Sequence, residues 1–344
     1  MRGPVGLTGI RLVVRLLHLR VGVRNLLMRC FETCLLLATL AAISCGCHGT
    51  GVITGHRDFP PAQRPVAKDA SREELLNTYN TIARNLKTLT ATVELKPTAG
   101  SRYSGVIDEY HEVKSFLLAA RPAEIRMIGQ APVIGKTIFD MASDGDTFRV
   151  SIPTKNKFLV GSVVAEKLSA KPIENLRPQH LLDALLWPEI RKEEAVTMRE
   201  FNNEQGRYYV LTVLRGGYQL EVLREIRFDR SNLQVAGIQT FGPKGTLLSD
   251  VSFSDWEPLD NALASSGATG SAPASTPAPG VTAFPRAILI ERPHDDYKLE
   301  LQVTKVALNE EIPADRFKLE QPAGTELVPV GEATENKPTA ESKP

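Results

Sequence analysis

Tyr297-Lys298-Leu299-Glu300-Leu301-Gln302-Val303-Thr304 alternates apolar and polar residues without a break. Side chains along a strand point to opposite faces, so this stretch reads as a strand with one face in a core and one in water. The same period recurs upstream. Phe148, Val150 and Ile152 alternate with Thr147, Arg149 and Ser151 over 146–152. Asp144-Gly145, just before, is a hairpin turn signal. Over 218–228, Tyr218, Leu220, Val222, Ile226 and Phe228 share one face, and Gln219, Glu221, Glu225 and Arg227 share the other. Further strands are expected at 91–96, 103–109, 112–120, 124–129, 137–142, 157–161, 207–214, 233–240, 246–256 and 286–291. A last one is expected at Phe317-Lys318-Leu319.

Two stretches carry the helical period instead. Ser71 stands as N-cap with Glu74 in the capping-box position. Leu75, Tyr79, Ile82, Leu86 and Leu89 follow as one apolar stripe, with Asn77, Asn80, Arg84 and Lys87 elsewhere. The second helix starts near Pro178, runs through His180-Leu181-Leu182-Asp183-Ala184-Leu185-Leu186-Trp187 and stops at Pro188. A dozen strands with one polar face imply an antiparallel sheet wet on one side. So large a sheet should curl, and its inner face needs a cover. The expected fold is therefore α+β: a large curved antiparallel sheet, with the helices at 71–89 and 178–187 over its concave face.

The chain has 344 residues, 41 Lys+Arg and 40 Asp+Glu. Its four cysteines, Cys30, Cys34, Cys45 and Cys47, all precede the strand-rich body. The body thus has no disulfide, cysteine nucleophile or thiolate metal site, and zinc spacing is missing. Met28-Arg29 followed by Leu35–Ile43 suits a secretory signal, being too short for a membrane span. Ala42-Ile43-Ser44-Cys45 resembles the bacterial lipobox, with Ala42 where Leu is preferred. Cys45 is the expected lipidation site, carrying palmitate-type chains, and Cys47 is a second candidate. The Arg-broken runs of residues 1–27 make a poor span, and Met28 is the expected start. Removing residues 1–44 takes six Arg and Glu32, turning a net charge of +1 into −4. Nucleic acid is not an expected partner, because phosphate contacts need clustered Lys and Arg.

The expected domains are a signal peptide at 1–44, a flexible tether at 45–70 and a body at 71–257 plus 284–330. A Pro/Ala/Ser/Gly-rich insertion at 258–283 interrupts the body, and a disordered tail follows at 331–344. Chemistry is sparse. The histidines show no metal-ligand spacing, and nucleophile-elbow and phosphate-loop motifs are missing. His180 reads as a surface or capping residue, and His294-Asp295-Asp296 as a solvated turn after Pro293. Asp108 and Glu109 are adjacent in a strand and face opposite ways. Arg126 and Arg149 read as exposed strand charges, with a lipid headgroup as the sharper alternative. No enzyme, cofactor or metal is expected.

Two motifs resemble the LolA/LolB-type lipoprotein-carrier superfamily, in particular its poorly characterised lipoprotein branch. One runs Glu124-Ile125-Arg126-Met127-Ile128-Gly129, then Gly135-Lys136-Thr137-Ile138-Phe139-Asp140-Met141, then Ser143-Asp144-Gly145-Asp146-Thr147-Phe148. The other is Phe317-Lys318-Leu319-Glu320-Gln321-Pro322-Ala323-Gly324-Thr325-Glu326-Leu327-Val328. It is similar to the carrier's closing F-x-L-x-x-P-x-G strand. The resemblance implies a half-barrel whose apolar cavity receives acyl chains. Leu181, Leu182, Leu185, Leu186 and Trp187, as a lid, with Phe139 and Met141, are then the expected ligand-binding residues. The alternative for the helix cluster is a plug of ordinary core.

The expected function is that of a membrane-anchored periplasmic lipoprotein that binds lipid or lipoprotein acyl chains, for lipoprotein sorting or envelope lipid transport. Its partners are the membrane, through the anchor, and lipid or lipoprotein cargo, and the protein is expected to be a monomer. Gly46 after Cys45, rather than Asp, points by analogy to the outer membrane, facing the periplasm. The alternative is a structural or interaction lipoprotein with a filled core and no cargo.

Overall fold

The computed structural model describes residues 65–101, 106–109, 111–164, 175–217, 219–259 and 280–330. The chain divides into units Met1–Pro65 and Val66–Pro344, and every described element lies in the second. Cys45 and Cys47, the signal segment, residues 45–64 of the tether, residues 260–279 of the insertion, and the tail fall outside the described residues.

Among the described residues, fifteen strands form one sheet. In chain order, helix α1 (Arg72–Asn85) precedes β1 (Thr88–Ser101), β2 (Val106–Glu109), β3 (Val113–Ala120), β4 (Glu124–Gln130), β5 (Thr137–Ser143), β6 (Thr147–Ile152) and β7 (Lys157–Ser162). Helix α2 (Pro178–Leu185) follows. Then come β8 (Glu194–Asn202), β9 (Arg207–Arg215), β10 (Glu221–Asp229), β11 (Val235–Phe241), β12 (Leu247–Pro258), β13 (Ala283–Arg292), β14 (Tyr297–Leu308) and β15 (Glu326–Val330). The spatial order is β15-β7-β6-β5-β4-β3-β1-β14-β13-β12-β11-β10-β9-β8, and β2 pairs with β1. All pairings are antiparallel except β15 on β7.

The order describes two meanders. One walks outward from β1 to β7, and the other walks inward from β8 to β14. They meet where β1 pairs with β14, Leu89 opposite Leu308 and Leu95 opposite Leu301. The sheet is open: β15 and β8 are its two edges and do not pair.

The alternation read from the sequence sets the burial. Tyr297, Leu299, Leu301 and Val303 are buried, while Lys298, Glu300, Gln302 and Thr304 are not. Asp144-Gly145 makes the β5–β6 turn, with Gly145 at φ 99° and Asp144 Oδ1 accepting from the amides of Asp146 and Thr147. A single apolar core takes in one face of β1, β3 to β5 and β9 to β14 together with Leu75, Tyr79 and Ala83 of α1 and Leu181, Leu182 and Leu185 of α2.

Several elements differ from expectation. The α1 helix ends at Asn85, and Leu89 is buried as part of β1 instead. The expected strand at 317–319 is not one: Ala314–Phe317 is a 3₁₀ turn that buries Phe317. The closing strand is β15, reached through a turn at Gly324 with φ +78°. Strand β8 is an addition. Val66–Ala70, placed in the tether, includes residues fastened to the body. The Lys68 amide donates to the Arg230 carbonyl at 2.7 Å, and Asp69 pairs with the Arg230 guanidinium at 2.7 Å.

Candidate functional site

The α2 helix owes its length to its prolines. Pro178 occupies the first turn and Pro188 follows the end. Pro178, Leu181, Leu182 and Leu185 recur at helical spacing and are all buried. Leu186 and Trp187 continue inward at 4% and 5% exposure. The Trp187 indole donates to the Ala184 carbonyl at 3.0 Å and so folds back on the helix. Its ring stacks on Tyr79 of α1 at 5.6 Å and meets Phe253 of β12 at 5.2 Å and Trp256 at 6.5 Å.

This segment is tied down mainly through its backbone. Arg121, in the β3–β4 turn, donates from Nε to the Leu86 carbonyl at 2.9 Å and from Nη2 to the Trp187 carbonyl at 2.6 Å. One guanidinium therefore joins the end of α1 to the end of α2. The Tyr79 hydroxyl donates to the Pro188 carbonyl at 3.0 Å. Burial pushes that phenol up to about 12, so it stays a donor. Asn80 grips Ile190 twice, donating to its carbonyl at 3.0 Å and accepting from its amide at 2.9 Å. Asn80, expected off the apolar stripe, is buried for this reason.

A polar network fixes the other end of α2. His180 Nδ1 is hydrogen-bonded to the Tyr297 hydroxyl. Asn175 donates to the Asp295 carbonyl at 3.2 Å, and Arg177 lies 4.8 Å over the Phe148 ring. Asp295 pairs with Arg292 at 2.6 Å. The 293–296 turn is thus not simply solvated, because Asp295 is buried. Nor is His180 a surface residue, its side chain being 16% exposed. Burial, then the charges of Arg292 and Arg177, push the imidazole down to about 3 and keep it neutral.

Two cavities adjoin the helices. One, of about 340 Å³, lies beside the first turns of α1, between Leu75, Thr78 and Ile82 and the residues Leu233 and Val281. The other, of about 150 Å³, lies between α2 and β10–β13.

Of the residues singled out from sequence, Leu181, Leu182, Leu185, Leu186, Trp187 and Met141 are buried in the one core. Phe139 is half-buried against that core, its ring over Gly129 across the strand pair. Arg126 is committed to Asp140 at 2.8 Å and to the carbonyls of Arg316 and Lys318, and Arg149 pairs with Asp144 at 3.4 Å. Arg121, Asn80 and the Arg224–Glu194 pair escape sequence reading, since no local pattern marks a polar residue whose partner is a distant backbone. Among the described residues no acidic, histidine or cysteine cluster could hold a metal ion, and no helix is long and apolar enough to cross a membrane.

No protein-family model matches the chain, and no curated protein is found similar to it. The chain is similar to solved structures of the LolA superfamily and of related groups. A LolA superfamily protein from Nitrosomonas europaea is 12% identical at TM-score 0.42, over 73% of this chain and 99% of that one. A DUF1329 family protein from Desulfovibrio piger is 11% identical at TM-score 0.43, over 71% and 97%. An outer membrane lipoprotein-sorting protein domain from Vibrio parahaemolyticus is 8% identical at TM-score 0.39, over 70% and 95%. At these identities and scores they carry no activity, ligand or partner over to this chain.

Proposed function

We propose that this chain is an envelope lipoprotein, anchored through Cys45, that takes acyl chains of lipids or lipoproteins beneath α2 and serves lipoprotein sorting or envelope lipid transport. Binding, not catalysis, is the activity. The reading places a half-open barrel around the helices, with α2 as the movable cover of the concave face.

The placement of α2 carries this reading. It contacts β4 and β5 on one side and shares a cavity with β11, β12 and β13 on the other. In the strand order β4 and β11 are six spacings apart, about 29 Å in a flat sheet. A helix of eight residues is about 12 Å long. A sheet curled around α2 would satisfy both contacts. Such a helix, fastened by a few hydrogen bonds to backbone and lined with leucine, can swing away and leave an apolar trough. Each methylene of an incoming chain would then gain about 0.8 kcal/mol by burial. The Val133 and Ile134 pair supports contact with a lipid surface: they stand 94% and 73% exposed at the β4–β5 hairpin tip.

The test uses the full chain. Its two tryptophans, Trp187 and Trp256, both lie beside α2. Titration with a palmitoyl-bearing probe should change their fluorescence saturably at one probe per chain. A delipidated protein that ignores the probe, and from which mass spectrometry had recovered no acylated molecule, would sink the proposal. Labelled palmitate should enter the wild type and the Cys47→Ser variant but not Cys45→Ser.

A further inference from the structure

The cavity of about 150 Å³ beside α2 is lined on the sheet side by one polar ladder row and by Ile238, Val251 and Phe253 of deeper rows. Arg224 of β10 pairs with Thr240 of β11, and Thr240 with Ser249 of β12. Continuing the β12–β13 register brings Ser249 to Arg292. All four line the cavity. The next row inward is Ile226, Ile238, Val251 and Ile290, all buried. The inner face of the sheet therefore changes from apolar to polar within a single row. A surface with that profile suits the junction of an amphiphile, chain on one side and head on the other.

Arg224 is the informative member. Its side chain is 10% exposed. Nη2 donates to Glu194 Oε2 at 2.9 Å and to the Glu189 carbonyl at 3.1 Å. Nε is buried and has no hydrogen-bond partner. A buried donor left unsatisfied is costly, so such a group marks a place for an acceptor. The surrounding charge says which kind. Arg224 is balanced by Glu194 and Arg292 by Asp295. His180 is neutral, and burial pushes the Asp183 carboxyl above the usual carboxylate range. The charges are already matched, so an anionic head would find no free cation here. A neutral carbonyl oxygen needs none, and neighbouring hydroxyls could donate to Asp183 or exchange bonds with Thr240 and Ser249.

We propose that this row is a head-group site for ester-linked acyl glycerols, with Arg224 Nε donating to the ester carbonyl. It rests on the acyl-binding reading above and adds to it a preference between heads. About 150 Å³ is the volume of roughly five waters, enough for a glyceryl ester and not for its chain, which would lie under a displaced α2.

The test compares three probes by tryptophan fluorescence on the full chain: 1-monopalmitoylglycerol, its ether analogue 1-O-hexadecylglycerol, and palmitate at pH 8. The ester and ether differ in the carbonyl alone. The ester should bind about tenfold or more tighter than the ether, as expected of a hydrogen bond from a charged donor, and tighter than palmitate. Arg224→Lys keeps a cation for Glu194 and should bring ester and ether to equal affinity. Equal affinity in the wild type, with Nε satisfied by water alone, would overturn the head-group site and leave acyl binding standing. Palmitate binding tightest would overturn the neutral-head assignment. No binding of any probe would overturn the acyl-binding reading and this site with it.

Discussion

Three single residues make the design testable. His180 is held neutral, its folded value near 3 lying below the ordinary 6.5. A depressed histidine favours the fold above its unfolded value, and that contribution is lost as pH falls from 6.5 towards 3. Thermal unfolding should therefore show a falling Tm below pH 6.5, and His180→Gln should flatten the slope in that window. Equal slopes in the two proteins would refute the assignment. Arg121 is the second. Arg121→Met removes both donors that join α1 to α2 and should cost about 1.5–3 kcal/mol in denaturant unfolding. Amide exchange over 178–190 should accelerate more than exchange in β1. Gly129 is the third: a Cβ there would run into the Phe139 ring. Gly129→Ala should force the ring off its place and lower stability by about 1–3 kcal/mol.

Elements were legible where burial alternates. The β14 and β6 strands and the β5–β6 turn follow directly from Leu299, Leu301, Phe148 and Gly145. The β8 strand could not be read, because an edge strand exposed along most of its length has no buried face to leave a period in the sequence. Leu89 kept the helical spacing of α1 by coincidence, since the strand that follows buries it as well. Phe317 and Leu319 looked like alternation, yet a turn placed the phenylalanine inward. For the site, the leucines and Trp187 of α2 were visible as an apolar run. Arg121, Asn80 and Arg224 were not, because each is defined by groups over 29 residues away in the chain. The α1 start was fully legible: Ser71 and Glu74 form the reciprocal capping box, with Ser71 N to Glu74 Oε2 at 2.7 Å. Ser71→Ala should cost about 1 kcal/mol in urea unfolding, and a change within error would discount the cap.

Across the whole body, the open sheet has two edges to protect. At β8 the charges of Arg199 and Glu200 and the Arg72 bond to the Val196 carbonyl blunt one. At β15, Pro329 lacks an amide to offer a neighbour. Cutting the chain after Thr325 should uncover β7 and produce self-association visible by light scattering. In chain order α2 stands between β7, next to one edge, and β8 at the other. The meeting of β1 and β14 in the middle of the sheet has a further consequence, one of timing. The strand made first must wait for one of the last before the centre of the molecule exists. Pairings so distant along the chain form slowly. Until its final strands arrive the sheet therefore lacks its seam, and a chain ending before β14 has no partner for that edge of β1.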